Sequence, residues 1–129
     1  MIIAITNQKG GVGTTTTTAN VGVLLARDER RVLLVDADPQ FALTRQLGIE
    51  ERSLGVNLVD VLAGRASAED AIVTGVHPVD MIASGRELAG IELSLVGELG
   101  RELFLRDALA PVLDGYDQVV IDFRRTSGC

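Results

Sequence analysis

The residues best suited to chemistry form a glycine-rich run near the start of the chain. Residues 8–18 read Gln-Lys-Gly-Gly-Val-Gly followed by five threonines. Glycine allows a positive φ and lets the backbone approach a ligand with no Cβ in the way. Amides of such a loop, at the start of a helix, favour a bound phosphate. The run therefore predicts a nucleotide-phosphate loop; the alternative is a plain glycine-rich turn between strand and helix.

Two carboxylates follow an apolar run further along the chain. Asp36 and Asp38 come after Val-Leu-Leu-Val, where a strand's carboxyl end meets a loop. Open α/β sheets bind ligands at this place, so these two carboxylates are candidate site residues. The alternative for Asp36 and Asp38 is a solvated loop pair, because aspartate is common in turns.

Apolar β-branched runs alternate with helical patterns along the whole chain. This alternation predicts an α/β fold with a mostly parallel sheet and right-handed crossovers. The expected strands lie near 1–6, 32–36, 79–83 and 118–122. The expected helices lie near 14–28, 40–47, 57–63, 68–73, 87–95 and 98–113.

Helical spacing also predicts which side chains face the core. In the first helix the inward residues are Val21, Leu24, Leu25 and Asp28, and in the last they are Leu105, Leu109, Val112 and Leu113.

Turn and cap residues predict where several helices begin and end. Gly48 and Gly64 are typical of the residue that follows a helix. Two pairs resemble capping boxes, Asn57 with Asp60 and Ser67 with Asp70.

Composition limits the classes of protein that fit. The chain has 129 residues, enough for one domain, with 47% hydrophobic and only 3% aromatic residues, so its core must be aliphatic. A net charge of −6 argues against a nucleic-acid surface. Cys129 is the only cysteine, which excludes internal disulfides and cysteine metal clusters. No run suits a membrane span or a signal peptide, so we expect a cytoplasmic protein.

Several motifs together resemble one family. Lys9-Gly10-Gly11-Val12-Gly13, preceded by Gln8, resembles the loop of the deviant Walker A ATPases. The segment Asp36–Gln40 (Asp-Ala-Asp-Pro-Gln) resembles the ParA/Soj-type partition branch of that family. Ser84–Glu92 and Tyr116–Asp122 are similar to the family's stretch after its third strand and to its Walker B strand. The likeness covers residues 1–123, leaving 124–129 as an atypical tail.

The resemblance implies a three-layer P-loop NTPase fold, with ATP and Mg²⁺ as ligands. It implies that Asp38 orients the attacking water near the metal, that Asp122 lies behind the metal, and that Lys9 reaches a dimer partner's phosphates. Thr15 would bind Mg²⁺ through its hydroxyl. The nucleotide-binding residues implied are Gly10, Gly11, Val12, Gly13, Thr14, Thr15 and Thr16.

Thr14 departs from the family pattern, because the family has its phosphate-gripping lysine there. Losing one preorganised charge-stabilising group costs roughly 3–4 kcal/mol, or about 10²–10³ in rate. We therefore expect weak or absent hydrolysis. A single base change converts a lysine codon to a threonine codon, so the site could be engineered, selected or decayed.

The residues after Asp122 are the second departure. The family continues Asp-x-Pro-Pro-x-Leu-Gly, whereas this chain has Phe-Arg-Arg-Thr-Ser-Gly-Cys. One deleted base can convert the first into the second, so we expect a frameshifted tail and a fold truncated after the Walker B strand. A natural short terminus is the alternative. Without later strands, residues 1–6 would form a sheet edge.

Three functions remain open at this stage. The first is a partition-type ATPase that forms a homodimer, or a heterodimer with a full-length relative, and works with a centromere-binding ParB-type protein. The second is a non-catalytic nucleotide-binding or dimerising regulator, which Thr14 favours. The third is a non-functional frameshifted fragment. Nucleic-acid and membrane partners are not expected.

Overall fold

A parallel sheet carries the structure. The computed structural model describes residues 2–7, 20–27, 30–38, 42–49, 55–74, 79–85, 87–88 and 97–124, with backbone alone for 2–7, 42, 97–102, 123 and 124. The elements are β1 (Ile2–Asn7), β2 (Val32–Ala37), α1 (Ala42–Gln46), α2 (Leu58–Leu62), α3 (Ala68–Ala71), β3 (Ile72–Val73), β4 (Asp80–Ile82), α4 (Gly97–Leu113) and β5 (Gln118–Arg124). Residues 20–25 are also helical.

The strands lie in the order β1-β5-β2-β4-β3. β1, β5, β2 and β4 are parallel, and only β3 runs antiparallel, against β4. All four predicted strands are therefore confirmed, as is the mostly parallel sheet. β1 is at one end of the described sheet, where it pairs with β5.

The two faces of the sheet are covered by different helices. Every residue of β2 is buried, as expected of a parallel strand covered on both sides. Leu33 and Val35 pack with residues of α2, α3 and α4, whereas Val32 and Leu34 pack with α1 and the end of the 20–25 helix. The aliphatic core is thus split into two layers by the sheet, which gives the three-layer arrangement.

Close packing on one face depends on a glycine. A Cβ added at Gly22 would lie 2.7 Å from Cδ2 of Leu34, so the missing side chain lets the 20–25 helix approach β2 closely. Leu25 and Ala26, near the end of this helix, pack against the same core layer. The prediction that Leu24 faces inward was wrong: it is 56% exposed, because Gly22 and Leu25 define the packed face.

The predicted helix ends are largely confirmed. Asn57 and Asp60 form a complete capping box at α2, and the Ser67 hydroxyl accepts the Asp70 N–H at α3. Gly48 and Gly64 have φ of 79° and 78°, the left-handed conformation that favours glycine after a helix. The predicted apolar face of α4 is also found, with Leu105 and Leu109 fully buried.

Two helices differ from the sequence prediction. The helix expected over 68–73 ends at Ala71, because the β-branched pair Ile72–Val73 instead forms β3 against β4. Of the helix expected near 87–95, only residues 87–88 are described, as a short 3-10 turn, and the remainder lies outside the described residues. No helix in the described part of the chain is long and apolar enough to cross a membrane.

Candidate functional site

Buried polar side chains cluster at the carboxyl end of the sheet. Asp36 is the second-to-last residue of β2, and its register partner in the neighbouring strand β5 is Asp122. Residues paired across two adjacent strands point to the same face, which here is the face covered by α1. The cluster comprises Asp36, Asp38, Thr44, Ser84 and Asp122, each at most 2% exposed.

Asp36 is held by neutral donors. Its Oδ2 accepts the backbone N–H of Thr44 at 2.9 Å and the Thr44 hydroxyl at 2.6 Å. Its Oδ1 accepts the N–H of Asp38 at 3.0 Å. Burial raises the pKa of the Asp36 carboxyl to about 6, against the opposing effect of these hydrogen bonds. The interpretation of Asp36 as part of a solvated loop pair was therefore wrong.

Asp38 is also buried, and its backbone is fixed from both sides. Its N–H donates to Asp36, and its carbonyl oxygen accepts the Ser84 hydroxyl at 2.6 Å. Ser84 follows β4, so two separate strands determine where the Asp38 backbone lies. The alternative of a solvated loop residue fails for Asp38 as well, because it is only 2% exposed.

The loop after β4 is itself anchored to α2. The Leu58 N–H at the start of α2 donates to the Ala83 carbonyl at 2.8 Å. A Cβ added at Gly85 would lie 2.6 Å from Nδ2 of Asn57, the N-cap of α2. The position of Ser84 therefore depends on the packing of α2 against this loop.

The predicted site residues divide into two groups. Asp38 and Asp122 are brought to the same end of the sheet, as predicted. Lys9, Gly10, Gly11, Val12, Gly13, Thr14, Thr15 and Thr16 lie outside the described residues. β1 runs parallel to β5 and ends at Asn7, opposite Arg124, so the chain enters the glycine-rich run from the carboxyl end of the sheet.

The predicted metal ligands fit magnesium chemically. Protein magnesium sites commonly use one or two carboxylates together with phosphate oxygens, and Asp38 and Asp122 supply carboxylates at this end of the sheet. Within the described residues, no group of three or more His, Cys, Asp or Glu side chains is placed to hold a metal ion.

Sequence reasoning missed Thr44 and Ser84 and gave Asp36 no role of its own. The period of two in β2 carried a usable signal, because it places Asp36 on the same face as Val32 and Leu34. A carboxylate on a buried face requires donors, and Thr44 lies within the next predicted helix.

Solved structures of similar proteins share this fold. Cobyrinic acid a,c-diamide synthase from Mycobacterium smegmatis, solved with bound ADP and magnesium, matches 95% of this chain and 50% of its own, with 41% identity and a TM-score of 0.81. A plasmid partition protein from Borrelia burgdorferi matches 95% and 55%, with 28% identity and a TM-score of 0.74. The expected P-loop NTPase fold is confirmed.

Sequence comparisons agree with the motifs. A family model described as an AAA domain (AAA_31) matches residues 1–127. The chain is 48% identical over 122 residues to the sporulation initiation inhibitor protein Soj of Bacillus subtilis, and 44% over 124 residues to the chromosome partitioning protein ParA of Caulobacter vibrioides. The chain belongs to this AAA-domain family, in its ParA/Soj-type branch.

The matches share one limit in length. They cover 94% of this chain but only 48% of Soj and 46% of ParA. The chain therefore spans about half the length of these curated relatives.

Proposed function

We propose that this chain is the nucleotide-contacting part of a ParA-type partition ATPase, and that it binds ATP with Mg²⁺ weakly. One observation carries the proposal. The carboxylates of Asp36, Asp38 and Asp122 are buried at the carboxyl end of the sheet, and β1 leads into the glycine-rich run at that same end. Relatives named Soj and ParA support the partition role. The solved neighbours differ in named activity, so what they support in common is the nucleotide-binding fold.

Each residue in the site has a proposed task within residues 1–123. ATP and Mg²⁺, when bound, supply the phosphoryl group and neutralise its charge. Phosphates would be bound by the backbone of Gly10, Gly11, Val12 and Gly13 and by Thr14 and Thr16. Thr15 would bind the metal through its hydroxyl. With the nucleotide and metal bound, Asp38 would orient the attacking water, Asp122 would help to hold the metal, and Lys9 would reach the phosphates of a partner subunit's nucleotide.

Thr14 is the reason we propose weak binding and slow turnover. A threonine side chain is short and neutral, so it cannot take the place of a lysine that spans the outer phosphates. The proposed partners are a second copy or a full-length relative, and a ParB-type protein, all in the cytoplasm.

Calorimetric titration with ATP and Mg²⁺ tests the binding proposal. We expect an affinity weaker than about 1 μM in the parent and at least tenfold tighter in Thr14→Lys, since a charge-assisted contact contributes roughly 1.5–3 kcal/mol. Thr17→Lys is the matched control, because it adds the same charge to the same threonine run and should give no gain.

Three results would contradict this. Submicromolar affinity in the parent would show that another group replaces the lost charge. Equal gains in Thr14→Lys and Thr17→Lys would reduce the effect to net charge. Absence of binding in the parent and both variants would refute a nucleotide function.

The second candidate is a regulator that binds or dimerises without turnover, and Thr14 favours it. Such a chain should inhibit the ATPase activity of a full-length Soj-type relative when mixed with it in equal amounts. A chain that leaves that activity unchanged, while its own Thr14→Lys variant hydrolyses ATP, would favour the partition ATPase.

A further inference from the structure

We propose that Thr44 and Ser84 are positioning residues, which hold the Asp38 backbone in a closed ring of hydrogen bonds so that its carboxylate is fixed for magnesium and water. The inference rests on the proposed function, because it assigns the ring to the same site. We call Asp36, Thr44 and Ser84 the Asp38 clamp.

The ring closes through four contacts. The Asp38 N–H donates to Oδ1 of Asp36, and Oδ2 of Asp36 accepts the Thr44 hydroxyl. The Thr44 hydroxyl oxygen accepts the Ser84 N–H at 3.4 Å, and the Ser84 hydroxyl returns to the Asp38 carbonyl at 2.6 Å. The four contacts connect the ends of β2 and β4 with α1.

Thr44 is at the centre of the ring because its hydroxyl is used twice. It donates at 2.6 Å and accepts at 3.4 Å, and its own backbone N–H gives Asp36 a further bond at 2.9 Å. Valine has the same shape but neither function, whereas serine keeps both. The pair Thr44→Val and Thr44→Ser therefore separates hydrogen bonding from volume.

Ser84 contributes the bond that reaches Asp38 from another strand. Without the Ser84 hydroxyl, the Asp38 carbonyl loses its described hydrogen bond to the segment after β4. The segments after β2 and β4 can then move independently. Functional carboxylates must be held to within about 0.5 Å by their supporting residues, so a loosened backbone weakens the metal contact even with the carboxylate present. The cluster is buried, so solvent is poorly placed to replace the lost bond.

Amide hydrogen exchange measured by NMR tests the ring without any ligand. The readout is the ratio of the Asp38 amide exchange rate to the mean rate of two reference amides, Leu34 and Val120. These two residues are paired in the neighbouring strands β2 and β5. We expect Ser84→Ala and Thr44→Val to raise this ratio by about two- to tenfold, the value of one net hydrogen bond. Thr44→Ser should keep the parent's ratio.

Ser67→Ala is the control for a general loss of stability. It removes the hydroxyl that caps α3, a helix with no described contact to Asp38, and should leave the ratio unchanged. A parent-like ratio in both Ser84→Ala and Thr44→Val would overturn the clamp, as would an equal rise in Ser67→Ala.

Calorimetry on the same variants tests the positioning role. We expect Ser84→Ala and Thr44→Val to weaken the affinity for ATP with Mg²⁺ by about two- to tenfold, while the affinity for ATP in EDTA stays the same. A raised exchange ratio with unchanged affinity for ATP with Mg²⁺ would overturn the role. If the parent binds no ATP with Mg²⁺, the proposed function and the positioning role both fail, whereas the exchange ratio still decides whether the clamp exists.

Discussion

The two ends of the sheet surround their aspartates with different partners. At the amino end, Asp80 accepts the Tyr116 hydroxyl at 2.7 Å and lies 3.8 Å from the Arg31 guanidinium. Arg31 also lies over the Tyr116 ring, 4.9 Å from its centroid, and its side chain is 64% exposed. At the carboxyl end, Asp36 is fully buried and its described hydrogen bonds come from neutral donors.

The difference separates a structural cluster at the amino end from the candidate functional site at the carboxyl end. A carboxylate beside an arginine near solvent contributes modestly to stability and costs little. A buried carboxylate with neutral donors favours its protonated form, which is why the pKa of Asp36 is raised. Groups arranged at such a cost are concentrated at functional sites. The carboxyl end is therefore the end at which ligand chemistry is expected.

The largest expected effect is on the pH dependence of stability. The pKa of Asp36 rises from 3.8 to about 6 on folding, so the unfolded chain loses this proton first. The stabilisation from the protonated carboxyl is complete below pH 3.8 and is lost as pH rises through about 6. The loss amounts to about 3 kcal/mol. Urea unfolding in EDTA from pH 4 to pH 7.5 should show this fall in the parent relative to Asp36→Asn.

Asp80→Asn is the matched control at the amino end of the sheet. Asp36 is intact in this variant. Its free energy of unfolding should therefore fall with pH relative to that of Asp36→Asn, by the same amount as in the parent. Parallel curves for the parent and Asp36→Asn would show that Asp36 ionises at its ordinary pKa, and the contrast between the two ends would disappear.

A pair of glycines gives the next largest effect. In Gly85→Ala, the new Cβ would lie 2.6 Å from Asn57 and displace the cap of α2, at a cost of about 1–2 kcal/mol. In Gly115→Ala, at the amino end, the nearest atom is 3.4 Å away, so the change should stay within about 0.5 kcal/mol. Thermal or urea unfolding measures both. Equal costs would mean that the loop after β4 adapts freely.

The smallest effect concerns the amino-end cluster itself. Tyr116→Phe removes the hydrogen bond to Asp80 and should cost about 1 kcal/mol in urea unfolding. Burial, followed by the bond to Asp80, raises the pKa of Tyr116 above its usual value. The protonated phenol therefore stabilises the folded state. This stabilisation is fully present below the ordinary pKa of 10.0 and is lost as pH rises through the raised pKa.

Alkaline absorbance titration measures this directly. Tyr116 is the only tyrosine and the chain has no tryptophan, so the signal belongs to one side chain. The folded chain should ionise at higher pH than the urea-unfolded chain. Coincident titrations would show that the amino end lacks the described hydrogen bond.

The sequence predicted the strands well because their signals are local. A run such as Val32–Val35 is buried on both faces, and no other part of the chain needs to be known to recognise it. β3 was missed because Ile72–Val73 follows a helix without a break, and only pairing with β4 decides its conformation. Leu24 was misplaced because close packing at Gly22 rotates the apolar face of that helix.

The site was predicted unevenly for a similar reason. Asp38 could be selected from its position after an apolar run, and Asp122 from the resemblance of Tyr116–Asp122 to the family's Walker B strand. The period of two in β2 indicates that Asp36 needs a donor, but it does not say which residue donates. Thr44 and Ser84 are identified only by the fold, because their contacts span 8 and 46 positions of sequence. Only the folded sheet shows that the loops after β2 and β4 meet.

The pairing of Asp36 with Asp122 also bears on how the sheet is assembled. β5 lies between β1 and β2, so those two strands, made first during synthesis, become neighbours of a common strand only after residues 118–124 have been made. A shift of β5 by one residue would turn Asp122 toward the face where Leu105 and Leu109 pack. A carboxylate buried among leucines is strongly unfavourable. The burial of Asp122 opposite Asp36 thus disfavours a misaligned insertion of β5 between β1 and β2.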